Sequence, residues 1–182
     1  MKGDKAPSAR FIGREGDVLP GENLGGCPIG GYFKEQDSEA IFNSKRVIVF
    51  ALPGAFTPTC SSQQLPGFER MYDEFKSKGI DEIYCLSVND GFVMNAWFAQ
   101  EGVTKVKPLC DGNAEFTRGM GKLVDMTAAG FWNRSSRYAI IVDDGTIEAQ
   151  FDEPNEPGDP YGVSSPENVM IYLNSLEDVV VC

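Results

Sequence analysis

The chain has 182 residues, a length that favours one domain spanning residues 1–182. Its 27 acidic and 16 basic side chains give a formal net charge of −11, which disfavours nucleic acid and anionic membranes as partners. No apolar run reaches the roughly 20 residues that span a bilayer, and no signal-peptide core follows the polar N-terminus, so we expect a cytoplasmic protein.

The composition also restricts the chemistry. The chain has no histidine, which excludes Ser–His and Cys–His nucleophile pairs and imidazole metal ligands. The five cysteines form no C-x-x-C motif, and their odd number argues against a disulfide scaffold. Any cysteine chemistry in this chain therefore needs an activating group other than histidine. The cysteines are Cys27, Cys60, Cys85, Cys110 and Cys182.

The first half of the chain predicts a strand followed by a helix. Residues 1 to about 45 are polar and rich in glycine, and the run 25–31 predicts turns that join short hairpin strands. Residues 46–52 form a continuous apolar run, typical of a strand buried on both faces. A helical pattern then runs from about Cys60 to Lys78, where glycine ends it.

The second half continues the alternation and ends in a hairpin and a helix. The order of elements predicts an α/β protein with a thioredoxin-like fold, in which helices flank a central mixed β-sheet. The predicted elements begin with a strand at 83–88 and a helix that Asn89 or Asp90 caps and that buries Phe92, Trp97 and Phe98. A short segment at 106–110, a helix at about 114–124 and a hairpin of strands 137–142 and 146–151 follow. The last helix is capped by Ser164 or Ser165 and has Pro166 near its first position.

Cys60 lies in the first turn of the predicted helix, directly after the buried strand. Only about 3% of an ordinary thiol is thiolate at pH 7, and the unpaired amides of a helix N-terminus increase that fraction. Thr57 can place a hydroxyl beside the sulfur, to donate to it or to hold a substrate oxygen, and Pro53 stiffens the loop and keeps water away. Arg137, at the start of a core strand, is the expected cation. A small core cysteine, and an arginine paired with a surface carboxylate, are also compatible with these residues.

The motif Pro53-x-x-x-Thr57-x-x-Cys60 resembles the active site of the type II (peroxiredoxin-five-like) peroxiredoxins. The stretch Leu65-Pro66-Gly67 and the segment Arg134-Ser135-Ser136-Arg137-Tyr138 extend this resemblance, which covers roughly residues 40–175. Residues 153–160 resemble bacterial hybrids in which such a domain is fused to glutaredoxin.

The resemblance implies a thiol peroxidase that reduces hydrogen peroxide and alkyl hydroperoxides while Cys60 becomes a sulfenic acid. Arg137, rather than Arg134, would hold the peroxide oxygens together with Thr57 and the Cys60 amide, and Pro53 would cover the sulfur. No bound cofactor or metal is implied. The resemblance also implies a homodimer that forms through the active-site loops.

The resemblance further suggests that glutathione, as co-substrate, and a separate glutaredoxin reset Cys60 in a one-cysteine mechanism. A two-cysteine enzyme that thioredoxin resets is the alternative. Cys85, 25 residues after Cys60, matches the second cysteine of plant-like members but lies in a predicted buried strand, and Val163 occupies the place of the animal-like resolving cysteine. The other candidate resolving residues are Cys27, Cys110 and Cys182.

Two other functions remain open at this point. In a peroxide sensor or redox relay, a partner protein would read the oxidation of Cys60. In a non-catalytic thioredoxin-like binding module, Cys60 would only be structural. The aromatic residues Phe56, Phe131 and Trp132 shape the pocket mouth or a dimer face in one interpretation and belong to the core in the other.

Overall fold

The structure is a computed structural model that describes residues 2–16, 31–154, 156 and 158–178. The predicted turns at 25–30, together with Cys27 and Cys182, lie outside the described residues. Within the described ranges the strands are β1 (Arg10–Glu15), β2 (Tyr32–Asp37), β3 (Arg46–Ala51), β4 (Glu82–Ser87), β5 (Lys107–Cys110), β6 (Leu123–Asp125), β7 (Asn133–Ser135), β8 (Tyr138–Asp143) and β9 (Thr146–Asp152). The helices are α1 (Ser38–Phe42), α2 (Leu65–Arg70), α3 (Tyr72–Ser77), α4 (Gly91–Gln100), α5 (Glu115–Gly119) and α6 (Pro166–Asp178), with a π-helical turn at Cys60–Gln64 and a 3₁₀ turn at Thr127–Ala129.

A five-stranded sheet in the order β5-β4-β3-β8-β9 forms the centre of the molecule. Strands β3, β4 and β5 are parallel, whereas β8 is antiparallel to both β3 and β9. Strand β3 takes the central place because its residues Val47 to Ala51 are apolar and fully buried on both faces. The predicted mixed sheet and the hairpin of β8 and β9 are therefore confirmed.

The two faces of the sheet carry separate cores. Ile48 and Phe50 of β3 pack on one face against α2, α3, α4 and α6, and the rings of Phe50 and Phe68 stack with centroids 4.1 Å apart. Val47 and Val49 pack on the other face against β1, α1 and α5. Helices thus flank the sheet on both sides. No helix in the described part of the chain is long and apolar enough to span a bilayer.

The helix predicted from Cys60 to Lys78 is interrupted, so the prediction of one continuous helix is wrong. It opens with the π-helical turn, in which the Leu65 N–H bonds to the Cys60 carbonyl five residues back. Pro66 has no N–H for the usual four-residue bond, which favours this wider turn. The helix breaks again at Met71, where φ is −90° and ψ is 7°, and it ends before Gly79, whose φ is +79°.

Two further predictions need correction. The helix expected at 114–124 covers only Glu115–Gly119, because the chain turns at Gly121 with φ of +67° and enters the small antiparallel sheet of β6 and β7. Phe92 is 55% exposed, so the prediction that it lies in the core is wrong. Trp97 and Phe98 are buried in the core as predicted. The Arg14 guanidinium, 4.0 Å from the centroid of the Phe92 ring, covers part of this aromatic surface.

The ends of the helices and the first hairpin agree with the sequence. Strands β1 and β2 pair antiparallel, as expected for short hairpin strands. Asp90 caps α4 by accepting the N–H groups of residues 92 and 93. Ser165 caps α6 by accepting the Asn168 N–H at 3.2 Å, and Pro166 is the first residue of that helix.

Candidate active site

The candidate site lies at the carboxyl end of β3. The strand ends at Ala51, a loop follows, and helical backbone begins at residue 58, which places Cys60 in the first turn as predicted. Ala51 pairs with Tyr138 of antiparallel β8, so Arg137 lies at the same end of the sheet. Asn89 fastens the loop, because its Oδ1 accepts the Ala55 N–H at 3.1 Å.

The side chains of Cys60 and Arg137, 77 residues apart in sequence, meet at this end of the sheet. Arg137 Nη1 lies 3.5 Å from Cys60 Sγ, and both residues are buried. Burial opposes the charge on Arg137, but Cys60 and Asp159 outweigh it and hold the pKa of the guanidinium above its ordinary value. A permanent positive charge therefore faces the sulfur.

The other donors of Arg137 determine how it is oriented. Nη1 also donates to Gln64 Oε1 at 2.6 Å, and Nη2 donates to the carboxylate of Asp159. Nε is buried and has no hydrogen-bond partner among the described residues. A buried donor without a partner is unusual in a folded protein. Nε is therefore the donor of Arg137 that no described residue engages.

Thr57 does not make the expected hydrogen bond to the sulfur. Its hydroxyl donates to the Gly54 carbonyl at 2.8 Å and not to the sulfur. Since a hydroxyl has a single proton, the Thr57 oxygen offers lone pairs and acts as an acceptor. Its second expected role, holding a substrate oxygen, fits this arrangement.

A cavity of about 350 Å³ leads to the site. Pro53, Arg137 and Asp159 line it together with β6 and the loop after β9, whereas Cys60 is not among the described lining residues. The sulfur thus lies behind the guanidinium and Pro53, shielded from solvent. A small ligand in the cavity meets Arg137 before it meets the sulfur.

Arg134, the second arginine of the predicted segment, has a different position. Its Nε donates to the Phe131 carbonyl at 3.0 Å and its Nη1 to the Val88 carbonyl at 3.2 Å. These bonds tie the segment before β7 to the end of β4. Phe56, Phe131 and Trp132 are 48%, 38% and 69% exposed, so the alternative that they belong to the core is wrong.

The other described cysteines lie within the fold. Cys85 pairs with Phe50 in the β3–β4 register and is fully buried, and this burial raises its pKa well above the ordinary value. Burial likewise raises the pKa of Cys110 to about 12. Cys60, Cys85 and Cys110 are all free thiols. Val163, at the place of the animal-like resolving cysteine, is 42% exposed.

Sequence analysis did not predict the partners of Arg137. Gln64 lies four residues after Cys60, and residues with this spacing share one face of a helix, so a signal for it was present. Asp159 lies in a proline-rich loop without periodicity, and no pattern in the sequence connects it to Arg137.

Comparison with known proteins identifies the family. The Redoxin family model matches residues 1–169. A peroxiredoxin of Rhizobium etli is 53% identical over 147 residues, which cover 79% of this chain and 82% of that protein. The chain belongs to the peroxiredoxins. This membership makes it an oxidoreductase of the peroxidase class, as the resemblance implied.

Two further comparisons specify the type of peroxiredoxin. The hybrid peroxiredoxin hyPrx5 of Haemophilus influenzae is 44% identical over 173 residues, which cover 95% of this chain and 66% of that protein. The crystal structure of the Plasmodium falciparum antioxidant protein, a 1-Cys peroxiredoxin, matches with a TM-score of 0.85 and 32% identity over 96% of this chain and 99% of that one. The predicted thioredoxin-like fold and the likeness to five-like peroxiredoxins near the hybrid type are confirmed.

Proposed function

We propose that this peroxiredoxin reduces hydrogen peroxide and alkyl hydroperoxides through Cys60, and that glutathione and glutaredoxin reset it in a one-cysteine mechanism. The observation that carries the proposal is the buried guanidinium of Arg137, whose Nη1 lies 3.5 Å from the sulfur and whose Nε is without a partner among the described residues. This geometry supplies a charge for the thiolate and a donor for the peroxide.

The oxidation step balances without any further oxidant. The Cys60 thiolate attacks the terminal oxygen of the hydroperoxide, so that an S–O bond forms while the O–O bond breaks. The sulfur is oxidised to a sulfenic acid and the peroxide is reduced. The leaving oxygen takes one proton from solvent and departs as water or as an alcohol.

The surrounding residues stabilise this transition state. Arg137 donates from Nε to a peroxide oxygen, and its charge stabilises the negative charge that develops as the O–O bond breaks. Thr57 accepts the O–H of the hydroperoxide, since its own proton is engaged with Gly54. The Cys60 amide is a further donor, and Pro53 forms the cavity wall that keeps water away from the sulfur. None of these roles needs a bound cofactor or metal.

The one-cysteine mechanism is supported by the positions of the other thiols. Cys85 and Cys110 are buried on strands, and burial raises the pKa of each thiol, so neither is a ready nucleophile toward an oxidised Cys60. Glutathione instead converts the sulfenic acid to a mixed disulfide with release of water. A glutaredoxin thiol then takes the glutathionyl group and frees the Cys60 thiol. The 44% identity to a hybrid peroxiredoxin also supports this route.

A homodimer is part of the proposal. Phe56 and Trp132 belong to segments near the active site and are 48% and 69% exposed. Exposed aromatic side chains are enriched at interfaces between proteins. A dimer that covers both residues is expected in solution, and a monomer at micromolar concentration, measured by light scattering, would contradict it.

Intact mass measurement tests the chemistry. The reduced protein receives one equivalent of hydrogen peroxide without any thiol, beside a Cys60→Ser variant. A gain of one or two oxygen atoms that is absent from the variant is expected. Loss of two hydrogens, or a covalent dimer, would contradict the one-cysteine mechanism and point to a resolving cysteine, with Cys27 and Cys182 included among the candidates. Turnover is then compared with glutathione plus glutaredoxin and with thioredoxin.

A further inference from the structure

We infer that Asp159 determines substrate specificity: its carboxylate pairs with Arg137 Nη2 and so favours uncharged hydroperoxides over those that carry a carboxylate. This inference rests on the proposed function and names the class of substrate for the same site. It assigns a role to a loop residue that does not touch the sulfur.

The position of Asp159 is the first observation. Its carboxylate forms an ion pair with Arg137 Nη2, whereas Nη1 contacts the sulfur. The Arg137 side chain is 3% exposed, whereas that of Asp159 is 42% exposed. The carboxylate therefore lies between the buried cation and solvent. Asp159 and Arg137 line the same cavity, so a ligand bound there meets both side chains.

The charge of the cavity wall is the second observation. Glu153 and Glu156 line the same cavity as Asp159. Burial disfavours the charged form of Glu153, but the N–H groups of Ser164 and Gly162 outweigh it and hold the pKa below its ordinary value, so the residue is ionised. The two cations among the described lining residues, Lys122 and Arg137, are each paired with a carboxylate. The wall thus has no unpaired positive charge among its described residues.

Arginine chemistry explains why this pairing selects substrates. A guanidinium binds carboxylates through two parallel N–H donors, and Nε with Nη2 forms such a pair. If Nη2 were free, a substrate carboxylate could bind to this pair of donors. Because Asp159 engages Nη2, only Nε of this pair is left for a substrate. A single donor can bind a peroxide oxygen but cannot form the two parallel bonds that a carboxylate takes. Its negative charge also repels an anionic substrate.

Two matched hydroperoxides test the inference. Cumene hydroperoxide and its para-carboxylate differ in one charged group. The rate constant for Cys60 oxidation by each compound is divided by the rate constant of the same compound with 2-mercaptoethanol, which corrects for the intrinsic reactivity of the two peroxides. The wild-type protein is expected to prefer the neutral compound about tenfold, which corresponds to about 1.4 kcal/mol. Asp159→Asn keeps an acceptor oxygen for Nη2 and removes the charge. Its preference is expected to fall to about twofold, because the normalised rate for the carboxylate compound rises relative to that for the neutral compound.

Salt and a control variant separate the contact from a general charge effect. Raising the ionic strength from about 0.05 to 0.5 M is expected to reduce the wild-type preference and to leave that of Asp159→Asn nearly constant. Glu156→Gln removes one negative charge from the same cavity without touching Arg137, and its preference is expected to stay within about twofold of wild type.

The outcomes distinguish this inference from the proposed function. A wild-type preference near one, or an equal relaxation in Glu156→Gln and Asp159→Asn, overturns the role of Asp159 while rapid oxidation of Cys60 still supports the peroxidase. An unchanged preference in Asp159→Asn overturns it as well. If neither compound oxidises Cys60 of the wild-type protein, the proposed function is contradicted, and the inference that rests on it is overturned as well.

Discussion

Replacing Arg137 by methionine removes the charge that faces the Cys60 sulfur and keeps a side chain of similar length. The substitution also removes the Nε donor, which no described residue engages, and the bond to Gln64. Both effects act on the oxidation step, because the thiolate and the breaking O–O bond each lose a source of stabilisation. We expect a large fall in the rate constant for Cys60 oxidation with little change in overall fold.

The geometry sets the size of this effect. Two unit charges at the observed 3.5 Å interact by about 5 kcal/mol at an effective dielectric constant of about 20, an upper limit for the pair. Asp159 neutralises part of the guanidinium charge, so the realised effect is smaller. Removal of one donor that stabilises a developing oxyanion costs about 10²- to 10³-fold in rate, or about 2.7–4 kcal/mol. We expect Arg137→Met to fall in this range.

Rapid-quench oxidation with substoichiometric hydrogen peroxide, read by intact mass, measures the rate constant. Arg137→Lys retains the charge without the guanidinium fork and is expected to lose about tenfold. Arg134→Met removes a nearby arginine that bonds to carbonyls and is the matched control, with an expected change below about threefold. An Arg137→Met protein that oxidises within threefold of wild type, while its circular dichroism and Tm show an intact fold, would refute the reasoning.

Three further predictions concern stability and the second thiol. Glu153→Gln is expected to cost about 1 kcal/mol at pH 7. The pKa of Glu153 is lowered in the folded protein, so this contribution is present above the ordinary value of 4.5 and is lost as the pH falls through the folded pKa. Urea unfolding at pH 7 and 4 checks it, and an equal difference at both pH values would contradict it. Cys85→Ala is expected to keep turnover with glutathione and glutaredoxin within about twofold, and native Cys85 should resist iodoacetamide because burial raises its pKa. A dead variant would indicate a resolving role. Phe68→Ala removes a fully buried ring and is expected to cost about 3–5 kcal/mol in urea unfolding, whereas a loss below 1 kcal/mol would disagree with the observed stacking on Phe50.

The sequence by itself determined the main elements and the most reactive position. The apolar run of β3, the hairpin of β8 and β9 and the caps of α4 and α6 depend on local patterns that tertiary contacts did not override. Cys60 in the first helical turn also follows from local order, since the strand, loop and helix are consecutive in the chain. Its motif and Arg137 carried the family resemblance.

Local patterns were insufficient where long-range contacts decide the outcome. Phe92 is predicted to lie in the core with Trp97 and Phe98, but the tertiary structure leaves its ring at the surface beside Arg14. The break at Met71 and the short α5 likewise contradict a simple helical period. In each case backbone geometry, or a contact with a segment distant in sequence, overrides the local helical pattern.

Only the tertiary structure decided how Arg137 is used. The β3–β8 register brings it to Cys60, while Gln64 and Asp159 approach it from 73 residues before and 22 residues after in the chain. A guanidinium has several donors in fixed directions, and the sequence does not reveal which of them the fold engages. The pairing with Asp159 and the buried Nε, which no described residue engages, are therefore properties of the folded chain, because they depend on the relative placement of a strand, a helix and a loop.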